Sequence, residues 1–355
     1  MGERQQSLTW ALLLGCLGAG TSLGAAQLYW WDRFQGLNGQ GRENPVALVW
    51  TSPIVTNTHP WEELVVSWNT TGDASIKVEA RAFHQGRSTR FYSLGDWTLR
   101  PGGKRTSEGP QRDLDGHVAT DTLVMKVPAD GFQVRVIQGG GGGTLKFVSA
   151  SVANAVAKIE PLPPLPFSRL PVPEKSQAEF PEGIEKWCSP TTTAMLLDYW
   201  ATRQNRPDWR HTVPETASAV FDPGWPGTGN WPFNTAFIGS HVGLRSCVVR
   251  ANSPKDLATW LAAGFPVGVS VSLALLNGEA KATVGDGHLV VVCGGTADGK
   301  VIIADPGRAL VRVHREIAAD AFVRAWAYSA YTAYLVWPED REPPDWAGAD
   351  FRPQF

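Results

Sequence analysis

One cysteine in this chain stands where a thiol can be made to react. Cys188 lies in WCSPTTTAMLLDYW, residues 187–200, directly ahead of a segment predicted to be a buried helix. Ser189 or Thr191 can cap that helix, and Pro190 suits its first turn, where a missing N–H costs nothing. From Ala194 to Ala201 the run is apolar on nearly every face, interrupted only by Asp198, so it belongs in a core. A thiol at the start of such a helix feels the positive end of the macrodipole, which favours thiolate over thiol. The same residues also read as a small apolar cysteine filling the first turn of a core helix.

Far downstream, GHLVVVCGG (287–295) and KVIIADPG (300–307) form two strand-like runs joined by a turn at 296–299. If the turn centres on Ala297 and Asp298, position 288 lies opposite 307, and 305 opposite 290. His288 and Asp305 then share the open end of one hairpin, about 5–8 Å apart at Cβ, within reach of an imidazole–carboxylate hydrogen bond. Cys293 is an odd number of residues from His288 and faces the other way, which removes it as a partner. A histidine oriented by a carboxylate and aimed at a thiolate is the base of a nucleophilic triad. Each piece has a plainer reading, a satisfied strand histidine and an Asp-Pro turn; the chemistry rests on their conjunction.

The elements that must hold these residues form an α+β pattern. SPKDLATWLAAG (253–264) has a capping serine, an apolar stripe at Leu257, Trp260 and Leu261, and a closing glycine, so it predicts an amphipathic helix. FPVGVSVSL, the hairpin, ALVRVHRE (309–316) and AYTAYLVW (330–337) predict strands, and AADAFVRAW (318–326) a helix. The segment 221–233, rich in Gly, Pro and Trp, predicts a rim loop. Its Trp225, Asn230 and Trp231, with Trp187, are candidate substrate-binding residues; the tryptophans equally suit pinning the loop to a core.

Several of these stretches look familiar together. WCSPTTTAM, GNWPFN (229–234), AAGFPVGVSVSL (262–273), GDGHLVVV (285–292) and ADP (304–306) resemble the secreted bacterial relatives of the bacteriocin-processing, double-glycine peptidases. Those belong to the papain-like cysteine peptidase superfamily. The resemblance covers about 174–338, and TSP (51–53) with GHVATDTLVMKVP (116–128) resembles the companion domain. It implies Cys188 as nucleophile, His288 as general base and acid, and Asp305 as the residue orienting the imidazole. For the oxyanion hole it implies the Cys188 N–H and an upstream glutamine. Gln177 is that glutamine here, since the usual position, six residues before the cysteine, holds Glu182.

Ahead of this half, AKIEPLPPLPFSRLPVPEKS (157–176) is a proline-dense, semi-rigid linker. Short alternating runs from 44 to 155, separated by Gly, Asn and Asp turns, predict an all-β sandwich domain. Its Trp61, Trp68 and Trp97 suit either a core or a platform for a carbohydrate or protein ligand. GGGGG (139–143) predicts a hairpin tip, and RDLDGHVATD (112–121) fails as a calcium loop because its glycine stands fourth.

Residues 1–26 predict an export signal, cleaved before Gln27 or retained as an anchor. With the signal removed, three of the four cysteines remain, an odd count that fits one free reactive thiol. The net charge of −2 argues against a nucleic-acid partner. No cluster has metal-ligand spacing, and no cofactor is expected. The expected enzyme is an exported thiol hydrolase acting on a peptide, a protein or a cell-wall peptide. A cell-wall peptide amidase and a catalytically idle binding protein remain as alternatives.

Overall fold

The computed structural model describes residues 26–34 and 48–349. The export signal expected over 1–26 lies, but for Ala26, outside them. Among the described residues no helix is long and apolar enough to cross a membrane.

The first half is built of antiparallel strands: β1 (Gln27–Trp31), β2 (Leu48–Thr51), β3 (Val55–Thr70), β4 (Ile76–His84), β5 (Arg87–Ser88), β6 (Tyr92–Trp97), β7 (Gly116–Ala119), β8 (Thr122–Gln138) and β9 (Leu145–Ala153). Period-two patterning drives them: in β4, Ile76, Val78, Ala80 and Ala82 are buried while Lys77 and Arg81 reach outward. They join in one nine-stranded sheet and not in two separate ones. The long strand β8 makes this possible. Along one edge it pairs with β3 and then β2, and along the other with β7 and then β4. TLVMKV and QVRVI, which read as two strands, are the two ends of β8.

GGGGG is not a hairpin tip. β8 and β9 flank β3 and do not pair, so residues 139–143 cross over the end of β3. Gly143 packs so close to this turn that a Cβ there would lie 1.8 Å from the Thr71 carbonyl oxygen. Trp61, Trp68 and Trp97 are fully buried, so they are core and offer no ligand platform.

The second half contains α1 (Cys188–Arg203), α2 (Val213–Val220), α3 (Trp231–Gly239), β10 (Leu244–Arg250), α4 (Pro254–Ala262), β11 (Val267–Ser272), α5 (Leu273–Leu276), β12 (Gly287–Gly295), β13 (Val301–Ala304), β14 (His314–Ile317), α6 (Ala319–Ala327) and β15 (Thr332–Pro338). Its antiparallel sheet runs β10-β15-β11-β12-β13-β14. Together the two halves make a mixed α+β chain. The Ser253 cap and the buried Leu257, Trp260 and Leu261 of α4 follow the amphipathic pattern. ALVRVHRE departs from it: residues 310–312 make a 3-10 turn, and only then does β14 begin. α1 crosses the sheet at Gly268, where an added Cβ would come within 3.3 Å of Leu196 and Thr192.

The proline-rich segment is docked along the sheet. The Leu170 N–H donates to the Cys293 carbonyl (2.8 Å), and the Gly295 N–H to the Pro166 carbonyl (2.9 Å). These bonds serve the bulge that interrupts β12 between Val292 and Gly294.

The halves are joined through an edge. β10 ends the second sheet, so alternate N–H groups along it have no strand to pair with. Side chains of the first sheet take them. The Ser246 N–H donates to Asn69 Oδ1 (3.1 Å), that of Val248 to Ser67 Oγ (2.8 Å), and that of Arg250 to Ser151 Oγ (2.9 Å). Asn69 Nδ2 returns a bond to the Ser246 carbonyl (2.9 Å). Each such bond contributes about 1 kcal/mol net, but leaving its buried N–H unpaired would cost about 1–3 kcal/mol. Beside this seam Phe233 of α3 packs on both Trp68 and Trp97, at ring distances of 6.1 and 5.3 Å.

Asp121 crosses the same boundary, accepting the Trp231 N–H at the start of α3 (2.7 Å). Burial raises its pKa to about 6, against the opposing pull of the Trp231 amide, the Thr122 hydroxyl and Arg250. The folded protein therefore holds this proton more tightly than the unfolded chain, where the carboxyl titrates near 3.8. Its contribution to stability is full below that value and is lost as pH rises through about 6. Asp121→Asn keeps the acceptor for Trp231 and cannot ionise. Its stability relative to the wild type should climb from pH 4 to pH 8, by up to about 3 kcal/mol. Urea midpoints of both proteins across that range check this, and a pH-independent difference would refute it.

Candidate active site

Helix α1 begins at Cys188, two residues earlier than a Ser189 cap would place it. Trp187 is its N-cap and offers no side-chain bond. The Ser189 hydroxyl instead meets the Tyr334 hydroxyl of β15 at 2.8 Å inside the core. Cys188 thus occupies the first turn, whose N–H groups have no intrahelical acceptors. Its thiol is half-buried against β12.

His288 opens β12 and Asp305 follows β13 directly. Val291 pairs with Ala304, so the hairpin register continues to 290 opposite 305. His288 Nε2 donates to Asp305 Oδ1 at 2.7 Å, which leaves the other ring nitrogen for Cys188. Burial opposes ionisation of Cys188. The hydrogen bond and charge of His288, with the Leu289 and Ser189 backbone amides, outweigh it and hold the thiol below its ordinary pKa. Burial also opposes a charged His288, but the bonds to Asp305 and Cys188 win and raise it. The two shifts favour the same state, a thiolate beside an imidazolium.

The other two cysteines behave oppositely. Cys293 and Cys247 are free and fully buried, and burial pushes both thiols up, Cys293 to about 12. Arg169 pulls weakly against burial at Cys293, whereas at Cys188 the bond and charge of His288 overcome it.

Asp305 is held from behind by groups that no local pattern announced. Burial would raise its pKa, yet the bonds and charges of His288 and Arg315 keep it well below the usual carboxylate range. Its Oδ2 accepts from Arg315 Nη1 (2.5 Å) and Arg308 Nε (3.2 Å), and its Oδ1 also takes the Gly307 N–H (3.0 Å). Both arginines reach on to Asn277 Oδ1, at 2.6 Å from Arg308 and 3.0 Å from Arg315. At Gly307 an added Cβ would press within 3.1 Å of the His288 ring.

Gln177 is buried against the Asp305 turn, its N–H donating to the Pro306 carbonyl (3.0 Å). Its Oε1 is buried without a hydrogen-bond partner. Glu182, by contrast, is exposed on the next turn.

The four candidate substrate residues separate. Trp187 packs on Phe180 (6.0 Å) and over Gly183, beside the thiol. Trp225 is 39% exposed on the 221–230 loop. Trp231 is half-buried beneath the Arg250 guanidinium. Asn230 is fully buried: its Oδ1 caps α3 by accepting the Phe233 N–H, and its Nδ2 donates to Asp222. It shapes the loop and offers nothing to a substrate. Among the described residues no group of three or more His, Cys, Asp or Glu side chains could hold a metal ion.

No curated protein matches the chain. Among the solved structures that share parts of it are two. One is described as a C39-like peptidase from Bacillus anthracis, 16% identical, with 48% of this chain and 96% of that one covered at a TM-score of 0.38. The other is infectious bursal disease virus Gx strain, 9% identical, covering 39% and 38% at a TM-score of 0.19. Residues 40–141 match the family model of the Peptidase C39 N-terminal domain, and residues 169–334 that of the Peptidase_C39 like family. With both halves matched, the chain belongs to the C39-like papain-like cysteine peptidases that carry an N-terminal companion domain.

Proposed function

We propose that this protein hydrolyses peptide bonds with Cys188 as nucleophile, His288 as proton carrier and Asp305 as its orienting carboxylate. The observation that carries this reading is the 2.7 Å bond from His288 to Asp305, with a half-buried thiol at a helix start close enough to His288 that each favours the other's charged form. The thiolate attacks the amide carbonyl carbon, and the carbonyl electron pair moves to oxygen. The Cys188 N–H and the Gln177 amide, already seated beside the Asp305 turn, receive that oxyanion. His288 gives its proton to the departing amine as the C–N bond breaks, leaving a thioester. Water then attacks, His288 accepts its proton, and the C–S bond breaks to release the acid and restore the thiolate beside the imidazolium.

The test is the pH dependence of iodoacetamide alkylation at Cys188, read by peptide mass spectrometry. The expected result is rapid labelling well below the ordinary thiol pKa of about 8.5, lost in His288→Ala. Labelling that rises only near that pH, identically in both proteins, would refute the assignment.

A further inference from the structure

We propose that the N-terminal sheet is a working part of the substrate cleft: it grips the 221–230 loop as a cleft wall, with Asp222 as the positioning residue. This rests on the reading of Cys188 as nucleophile.

The loop lies against the nucleophile's own segment. The Thr228 hydroxyl donates to the Lys186 carbonyl (3.0 Å), two residues before Cys188. Asn234 donates to the Thr228 carbonyl (2.9 Å) and accepts from the Thr193 hydroxyl of α1 (3.0 Å). The loop's outer face presents the exposed ring of Trp225, folded over Gly227 and Gly229. A substrate extended from Cys188 toward this side would meet that ring.

What fixes the loop comes from the other half of the chain. Asp222 is fully buried, although it sits in a loop between exposed neighbours. Its Oδ1 accepts the Ser107 N–H (2.9 Å) and the Gly224 N–H (3.0 Å), and its Oδ2 takes Asn230 Nδ2 (2.9 Å). One carboxylate therefore joins the 105–107 segment, which is bridged to the first sheet at Asp96, the loop's own turn and the cap of α3. Arg105 adds bonds to the carbonyls of Ser218 (2.9 Å) and Phe221 (3.4 Å). The backbones meet so closely that a Cβ on Gly224 would lie 2.1 Å from the Ser107 carbonyl oxygen. None of these residues touches Cys188, His288 or Asp305, so they act on how a peptide is received and not on the thiolate.

That division sets the test. Iodoacetamide reads the thiolate alone, whereas a peptidyl acyloxymethyl ketone must first occupy the cleft. Second-order labelling rates at Cys188 are measured with both reagents in the full-length protein. In Asp222→Ala the peptidyl reagent should slow by about tenfold or more, while iodoacetamide stays within about twofold. Arg105→Ala, a half-exposed site that leaves the core intact, should show the same selective loss at about threefold, and it carries the test if Asp222→Ala does not fold. Equal losses for both reagents, or none for the peptidyl one, would overturn the proposal. A wild-type Cys188 inert to iodoacetamide would instead bring down the nucleophile assignment, and this inference with it.

Discussion

Cys188→Ala should eliminate turnover of a quenched-fluorescence peptide library, a loss on the order of 10⁵–10⁶-fold, while the protein stays folded. Losing the nucleophile of a cooperating triad is comparable to losing the whole triad. The fold tolerates the change because one half-buried sulfur is removed from the first turn of α1, which stays packed between the sheet and helices α2 and α3. Gln177→Ala makes the useful contrast. A single oxyanion donor contributes about 2.7–4 kcal/mol, so this variant should slow by about 10²–10³-fold and still acylate. Residual turnover in Cys188→Ala would show that the reaction does not pass through this thiol. An unaffected Gln177→Ala would remove the glutamine from the oxyanion site.

The second large effect is at Asp305, where one substitution strikes both catalysis and stability. Asp305→Asn retains the size of the side chain but removes the charge that fixes the His288 tautomer. Loss of an orienting carboxylate costs about 10⁴ in kcat in a serine triad, and a loss on the order of 10²–10⁴ is expected here. The charged pair also weakens: without the carboxylate His288 loses its proton more readily, and Cys188 ionises less readily. The pH at which Cys188 alkylation sets in should therefore rise toward that of an ordinary thiol. In stability, Arg315 and Arg308 lose their shared anion. Stripping one partner from a fully buried pair costs about 3–5 kcal/mol, but both arginines reach water, so about 1–3 kcal/mol is the expected loss. A chemical-denaturation curve and a pH–alkylation profile of the same variant check the two effects. An unchanged profile would mean that Asp305 does not act through His288.

The parts of this site that local rules govern could be read before any coordinates. The turn at 296–299 and strand alternation point to His288 and Asp305 at one end of a hairpin; the turn itself pairs Gly295 with Val301, one residue off the expected register, and the bulge at Cys293 restores it, so that Val291 meets Ala304. Residues that converge from distant loops could not be read this way. Asn277, Arg308 and Arg315 come from three separate segments, and none stands at a period or spacing that marks it. The start of α1 was displaced because a capping hydroxyl had a competitor: Ser189 bonds Tyr334, which is remote in sequence. Helix α3 was missed because all but one of its residues are buried, so it carries no polar stripe to reveal a 3.6-residue period. Helix α2, by contrast, carries its own local signal. Thr212-Val-Pro-Glu215 forms a complete capping box in the structure, and the Thr-x-x-Glu pattern stands openly in the sequence.

The seam along β10 bears on how such a chain can change over time. Asn69, Ser67 and Ser151 stand in for a neighbouring strand, each a short polar group placed to meet one backbone N–H. Gly239, beside them, has no room for even a methyl group against the Asn69 amide. A foreign module grafted in place of the first sheet would bring none of these atoms to these positions. It would leave the edge of the catalytic sheet bare, a surface that invites other chains. Although a proline-rich stretch separates them in sequence, the halves are not interchangeable parts. They must be inherited as a matched pair.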